Sequence, residues 1–314
     1  MGARVESRPF RPVVPVNPDF GRYRPGRLLP TTLFLLTMAS TTMVGARLEW
    51  NFLRGVPAYS NATDLLPFVW AWRHLSLLWI GLPFSLSLMA ILFAHEMGHY
   101  LACQAYGIEA SWPHFFPAPT VIGTMGAFIR IRSMFGSRRQ LFDVGIAGPL
   151  AGMAVTVPVL VWGMAHSTLL PAHSPPLLEF GWPPLERMVM HLFHPGWNPA
   201  QVALSPVARA AWVGLFVTML NLLPAAQLDG GHILYTFFPK LHRRVSWLLV
   251  GLLLLAGWRL WEGWYVWAGL ILLMRARHPW VPDYDDVGPV RVGLAILTLA
   301  IFFLTFIPSP IVMP

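Results

Sequence analysis

The stretch AILFAHEMGHYLA, Ala90–Ala102, decides how this chain is read. It is apolar apart from His95, Glu96 and His99, which form an H-E-x-x-H pattern. On a helix, positions four apart share a face, so both imidazoles can reach one metal ion. Glu96 sits one residue along and can approach a metal-activated water as a general base. The flanking sequence reads as membrane, and an ionisable cluster at membrane depth is costly unless it is functional.

Working outward, the whole chain supports that setting. Of its 314 residues, 55% are hydrophobic and only 11% charged, with a mean hydropathy of +0.55. Soluble domains carry about 25% charged residues, so this composition, with several spanning-length apolar runs, indicates an all-α polytopic membrane protein. A single cysteine, Cys103, excludes an intrachain disulfide framework. It falls one turn past His99 and reads as a small buried residue rather than a ligand. The net charge of +8 is mostly arginine and falls between apolar runs. No basic stripe with interleaved aromatics, zinc-finger spacing or phosphate loop accompanies it, so nucleic acid is not an expected partner.

Residues 1–27 are rich in Pro and Arg and read as a disordered basic tail, leaving 28–314 as a single transmembrane domain. About seven spans follow from the apolar runs: roughly 28–45, 77–106, 141–166, 202–223, two from 245–274 turning near Trp261–Trp264, and 292–306. Residues 47–74 read as a polar loop, and 167–200 as a Pro-, His- and Trp-rich loop. The second span is expected to break around Gly81-Leu-Pro83. Residues 107–140 differ. Prolines and alternating β-branched residues over Val121–Ser133 indicate a small hairpin. In NLLPAAQLDGGH, Asn221–His232, Pro224 and the glycine pair should interrupt a helix. Placing the N-terminus in the cytoplasm puts sixteen Lys/Arg on that side against six on the other, and the metal site in the cytoplasmic half.

A catalytic zinc needs three protein ligands and one open position. His95 and His99 supply two. Acidic residues near the spans are few: Glu109, Asp143 and Asp229. Glu109 starts a loop. Asp143 follows Arg138 and Arg139, where a salt bridge or helix N-terminal charge accounts for it. Asp229 is the best candidate, in an irregular segment of the kind tolerated only beside protein or a water-filled cavity. A helix cap before His232 is its ordinary reading.

Together these motifs resemble the site-2 protease family of intramembrane zinc metalloproteases. H-E-x-x-H on one span and N-L-L-P-x-x-x-L-D-G on a later one carry the resemblance. GTMGAF at Gly123–Phe128, LFDVGIAGPLAG at Leu141–Gly152, RARHP at Arg275–Pro279 and the PSP ending are similar to the branch of cyanobacteria, chloroplasts and many bacteria, which lacks PDZ and CBS domains. The resemblance covers about residues 85–310. It implies one catalytic Zn2+ on His95, His99 and Asp229, with Glu96 as general base. It implies that Asn221 contacts the substrate carbonyl, and that Gly123, Thr124, Met125, Gly126 and Ala127 present a strand edge to the substrate. It also implies that the glycines of Gly148–Gly152 pack the third span on the catalytic helix. The expected activity is cleavage in or near the transmembrane segment of a membrane protein, within the lipid bilayer, and the expected location is a bacterial inner membrane. A metal-binding scaffold or transporter is the alternative.

Other residues read more plainly. His232 reads as an outer neighbour of the metal site or a helix start, since a fourth protein ligand would block catalysis. His166, His173, His191 and His194 read as loop histidines. Trp258, Trp261, Trp264 and Trp267 read as an interfacial belt.

Overall fold

A computed structural model describes residues 26–170, 176–274, 276, 278–282 and 287–312. Among the described residues there are eleven α-helices, two 3-10 segments and six short strands. The first long helix, α1 (Leu28–Leu53), is followed by two short ones, α2 (Ala62–Leu65) and α3 (Phe68–Arg73), then a 3-10 segment, Leu75–Gly81. Helix α4 (Leu82–Ala105) carries the His-Glu-His pattern. Strands β1 (His114–Pro117) and β2 (Thr124–Phe128) form the antiparallel hairpin, with an irregularity between Phe115 and Pro117. Next come α5 (Arg138–Ala165), β3 (Thr168–Leu169), β4 (Glu179–Phe180), α6 (Pro184–Phe193), β5 (Val202–Ala203) and α7 (Pro206–Asn221). The chain ends with α8 (Asp229–Phe237), α9 (Pro239–Arg259), α10 (Gly263–Leu273), α11 (Pro289–Thr305) and β6 (Ile311–Val312).

Among the described residues, three helical stretches are long and apolar enough to cross a membrane: Leu28–Leu53, Leu75–Ala105 and Arg138–Ala165. Helices α10 and α11 are apolar but shorter. Leu248, Leu252 and Leu255 on α9 and Ile296, Leu299 and Phe303 on α11 face outward. Apolar side chains exposed in such numbers suit lipid, not water. The main core joins α1 (Val44, Leu48), α4 (Phe84, Leu88, Leu92) and α7 (Trp212, Val213, Met219).

Several expectations need correction. The first span runs eight residues past its expected end, to Leu53, and the supposed polar loop 47–74 holds the end of α1 with α2 and α3. Asn51, one of its polar residues, is buried and donates to the Ala58 carbonyl. The break near Gly81 is present as the change from 3-10 to α-helix, with Pro83 in the first turn of α4. There a Cβ on Gly81 would lie 2.2 Å from the Thr42 carbonyl oxygen, so glycine lets α1 and this segment cross backbone to backbone. The loop 167–200 contains the ten-residue amphipathic helix α6, and its strand β4 pairs with β6 near the C-terminus. The glycine pair does not interrupt a helix. Pro224 lies in the break after α7, whereas Gly230 and Gly231 lie inside the first turn of α8. Their missing side chains let α8 fold back: a Cβ on Gly230 would lie 2.1 Å from the Leu222 carbonyl oxygen, and one on Gly231 2.5 Å from that of Ala225.

Trp264 is not a belt residue. It is buried, and its indole donates to the Pro308 carbonyl, fixing the chain after α11. Trp258 does point outward. The tail's residues 1–25, and Arg275, Arg277, Asp283, Asp285, Asp286 and His173, fall outside the described residues.

Candidate metal centre

Helix α4 packs most extensively on α5, and then on α7. Small residues make the first contact close. A Cβ on Gly98, the fourth residue of the His95–His99 pattern, would lie 2.4 Å from the Ala147 carbonyl oxygen of α5. A Cβ on Gly152 would lie 3.2 Å from His95 Nδ1, and one on Gly148 only 2.1 Å from His99 Nε2. The glycines of the Gly148–Gly152 motif therefore open space for the two imidazoles as well as packing two helices.

The histidines, both buried, are held in a defined sense. His99 Nδ1 donates to the Val144 carbonyl at 2.7 Å, which turns Nε2 inward as the lone-pair nitrogen. Val144 lies in the α5 turn preceding Pro149, and proline disturbs that turn by removing one of its hydrogen bonds. Asp229 opens α8, where the helix dipole favours a carboxylate. The N-cap position is held by Leu228 and no side chain caps α8, so the ordinary reading of Asp229 as a helix cap does not hold.

The three donors converge. His95 Nε2 and His99 Nε2 are 3.3 Å apart. Asp229 Oδ2 is 3.4 Å from the first and 3.3 Å from the second. A tetrahedral ion with bonds of about 2.0–2.1 Å holds its donor atoms about 3.3–3.4 Å apart, so the triangle has the edge length zinc requires. The chemistry fits too: Asp229 Oδ2 is buried and receives no hydrogen bond. Lone pairs gathered this closely repel unless a cation sits among them. Among the described residues, His95, His99 and Asp229 form the one such group that could hold a metal ion.

The other expected site residues divide. Glu96 is buried on the same helix as both imidazoles, and β2 of the hairpin packs against that helix. Asn221, at the end of α7, has its amide nitrogen 3.1 Å from His95 Nε2. On the hairpin, Gly123 and Thr124 are buried, Gly126 and Ala127 half-buried, and the Met125 side chain points outward. Gly123 packs on α1, where a Cβ would lie 2.9 Å from the Ser40 carbonyl oxygen. Of the residues named for substrate contact, those two are therefore tied into the fold.

Residues outside the triangle are accounted for. Asp143 pairs with Arg291 of α11 through two bonds of 2.8 and 2.6 Å, and with Tyr106, not with Arg138 or Arg139 as the sequence suggests. Glu109 is exposed, and Cys103 is a buried core residue. His232 is not part of the triangle; its Nδ1 bonds His278 Nε2 at 2.7 Å. His166 stacks on Trp162 and His194 on Trp197. Sequence reasoning missed the role of Gly98, whose signal is its place inside the pattern, and of the Val144 carbonyl, which no side-chain motif can reveal.

A buried two-histidine, one-carboxylate triangle with a glutamate alongside, its histidines on a helix long and apolar enough to cross a membrane, is a group that could hold a metal ion. The chain belongs to Peptidase family M50, whose family model matches residues 83–256. Relatives agree. It is 33% identical over 297 residues to a probable zinc metalloprotease, EGY1, chloroplastic, of Oryza sativa subsp. japonica, covering 88% of this chain and 49% of that protein. The EGY1 protein of Arabidopsis thaliana is 31% identical, over 88% of this chain and 52% of its own length. The EGY2 protein of Arabidopsis thaliana is 30% identical, over 82% and 46%. The chain spans about half the length of these relatives.

Proposed function

We propose that this chain is an intramembrane zinc endopeptidase that hydrolyses a peptide bond in or near the transmembrane segment of another membrane protein. One observation carries the reading: three donor atoms on two helices, mutually 3.3–3.4 Å apart. The relatives' names as zinc metalloproteases support it. In this reading His95, His99 and Asp229 would hold one Zn2+. Bound zinc supplies Lewis acidity and lowers the pKa of water to about 7.

The chain's own residues do the rest. Glu96 accepts the proton of the attacking water and returns it to the leaving amine. Asn221, beside His95, donates its amide to the scissile carbonyl as negative charge develops there. A helical substrate shields its own carbonyls, so the segment to be cut must be extended. The β1–β2 hairpin, which packs against α4, offers an edge for strand addition. We further place the chain with about seven spans, as one domain from residue 28 on, in a bacterial inner membrane. The N-terminus and the metal site then face the cytoplasm, in keeping with the arginine bias.

The test is co-expression with a panel of single-span membrane proteins. The native chain should shorten at least one of them, and Glu96→Gln should shorten none while still binding zinc. Cleavage retained by Glu96→Gln removes that residue from its role.

A further inference from the structure

The turn that delivers Asp229 is bent in an unusual way. Ala226, three residues before it, has φ +50°, a left-handed conformation that residues with a Cβ rarely adopt. Ala226 is fully buried, so its backbone groups cannot be satisfied by bulk water. Both are met by α9. His242 Nε2 donates to the Ala226 carbonyl at 3.0 Å, and the Ala226 N–H donates to Ser246 Oγ at 3.2 Å. His242 and Ser246 are four apart, hence on one face of α9. The Ser246 hydroxyl in turn donates to the His242 carbonyl at 3.0 Å, so it is engaged as both donor and acceptor. Both side chains are buried.

The clamped turn packs directly on the first turn of α8. Gly231 packs so tightly that a Cβ would lie 2.6 Å from the Ala226 carbonyl oxygen. Shifting Ala226 therefore shifts the helix start on which Asp229 stands. The triangle leaves little room for such a shift, since 3.3–3.4 Å separations are set by bond lengths to the ion.

We infer that His242 and Ser246 are positioning residues: by locking Ala226 in its left-handed conformation they hold Asp229 in register with His95 and His99. The inference rests on the reading of Asp229 as a metal ligand. It requires zinc affinity to depend on two α9 residues that belong to no metal-binding group.

The full chain, purified in detergent and stripped of metal, would be titrated with zinc against a chromophoric chelator. Ser246→Ala and His242→Ala should each weaken zinc binding by about 10–100-fold, the range found when partners of metal ligands are removed. Ser246→Thr, which keeps the hydroxyl, and His242→Gln, which keeps a donor in place of Nε2, should stay within about threefold of native. Adding Ala226→Gly to Ser246→Ala should recover part of the loss, because glycine adopts the left-handed region without strain. Native-like zinc affinity in both alanine variants overturns the inference. So does a loss of affinity that merely tracks a lowered unfolding temperature of the metal-free protein. Asp229→Ala separates the two levels. If it binds zinc like native, the ligand assignment itself fails; if it loses zinc while the clamp variants keep it, only the clamp inference fails.

Discussion

Gly148 faces His99 so closely that a single added methyl would stand 2.1 Å from the imidazole nitrogen turned toward the other donors. The ring cannot retreat easily, because its other nitrogen is tied to the Val144 carbonyl of the same helix, α5. Gly148→Ala should therefore lower zinc affinity by at least about tenfold and abolish cleavage. Gly152→Ala, whose Cβ would meet His95 at 3.2 Å, should be milder. Zinc content after dialysis, compared across the two variants, checks this order.

The hairpin can be loosened without touching the metal. Thr124 Oγ donates to the Phe116 carbonyl at 2.8 Å and accepts from the Gly126 N–H at 3.0 Å, pinning the irregular end of the β1–β2 pair. Thr124→Ala should leave zinc content unchanged and slow cleavage by roughly tenfold, in proportion to a lost binding energy of about 1–1.5 kcal/mol. An unchanged cleavage rate would mean the hairpin does not bear on the substrate.

Away from the spans, α6 buries the carboxyl of Glu186, and neither oxygen meets a hydrogen-bond partner among the described residues. Burial raises its pKa from 4.5 to about 8, against the pull of Arg209 and Arg187. The folded state thus prefers the protonated acid. Its cost is absent below about pH 4.5, grows as pH rises from there to about 8, and is constant above. Unfolding temperature should accordingly fall over that interval in the native chain. Glu186→Gln should flatten this part of the profile.

Asp64 has the opposite sign. Burial alone would raise its carboxyl, but Arg47 at 2.6 Å and hydrogen bonds from Ser60 and the Asn51 side chain together hold it below the usual carboxylate range. Its contribution is present above pH 3.8 and fades as pH falls through the lowered value. Asp64→Ala should destabilise the chain by about 3 kcal/mol, because it strands a largely buried Arg47 guanidinium and removes the Asp64 half of the α2 capping box. Chemical denaturation at neutral pH measures this.

That His95, His99 and Asp229 come together was legible because their chemistry restricts them: two histidines at helical spacing, and few acids to complete the set. Of the hairpin, β2 falls within the alternating stretch 121–133, whereas β1 lies before it, among the prolines. What escaped depends on contacts distant in sequence. Asn51 looks like a loop residue until Ala58 supplies its acceptor, and so α1 outruns its apolar run. Trp264 looks interfacial until the Pro308 carbonyl takes its N–H. The partner of Asp143 is 148 residues away on α11, whereas local sequence offered two nearer arginines. Helix α6 hid among prolines that mark its ends rather than a continuous loop.

Zinc K-edge X-ray absorption of the purified chain bears most directly on the central claim. The account predicts a first shell of light atoms at about 2.0–2.1 Å with two imidazoles, falling to one in His99→Ala, and no sulfur. A protein without zinc, a shell containing the Cys103 sulfur, or a spectrum unmoved by His99→Ala would contradict it.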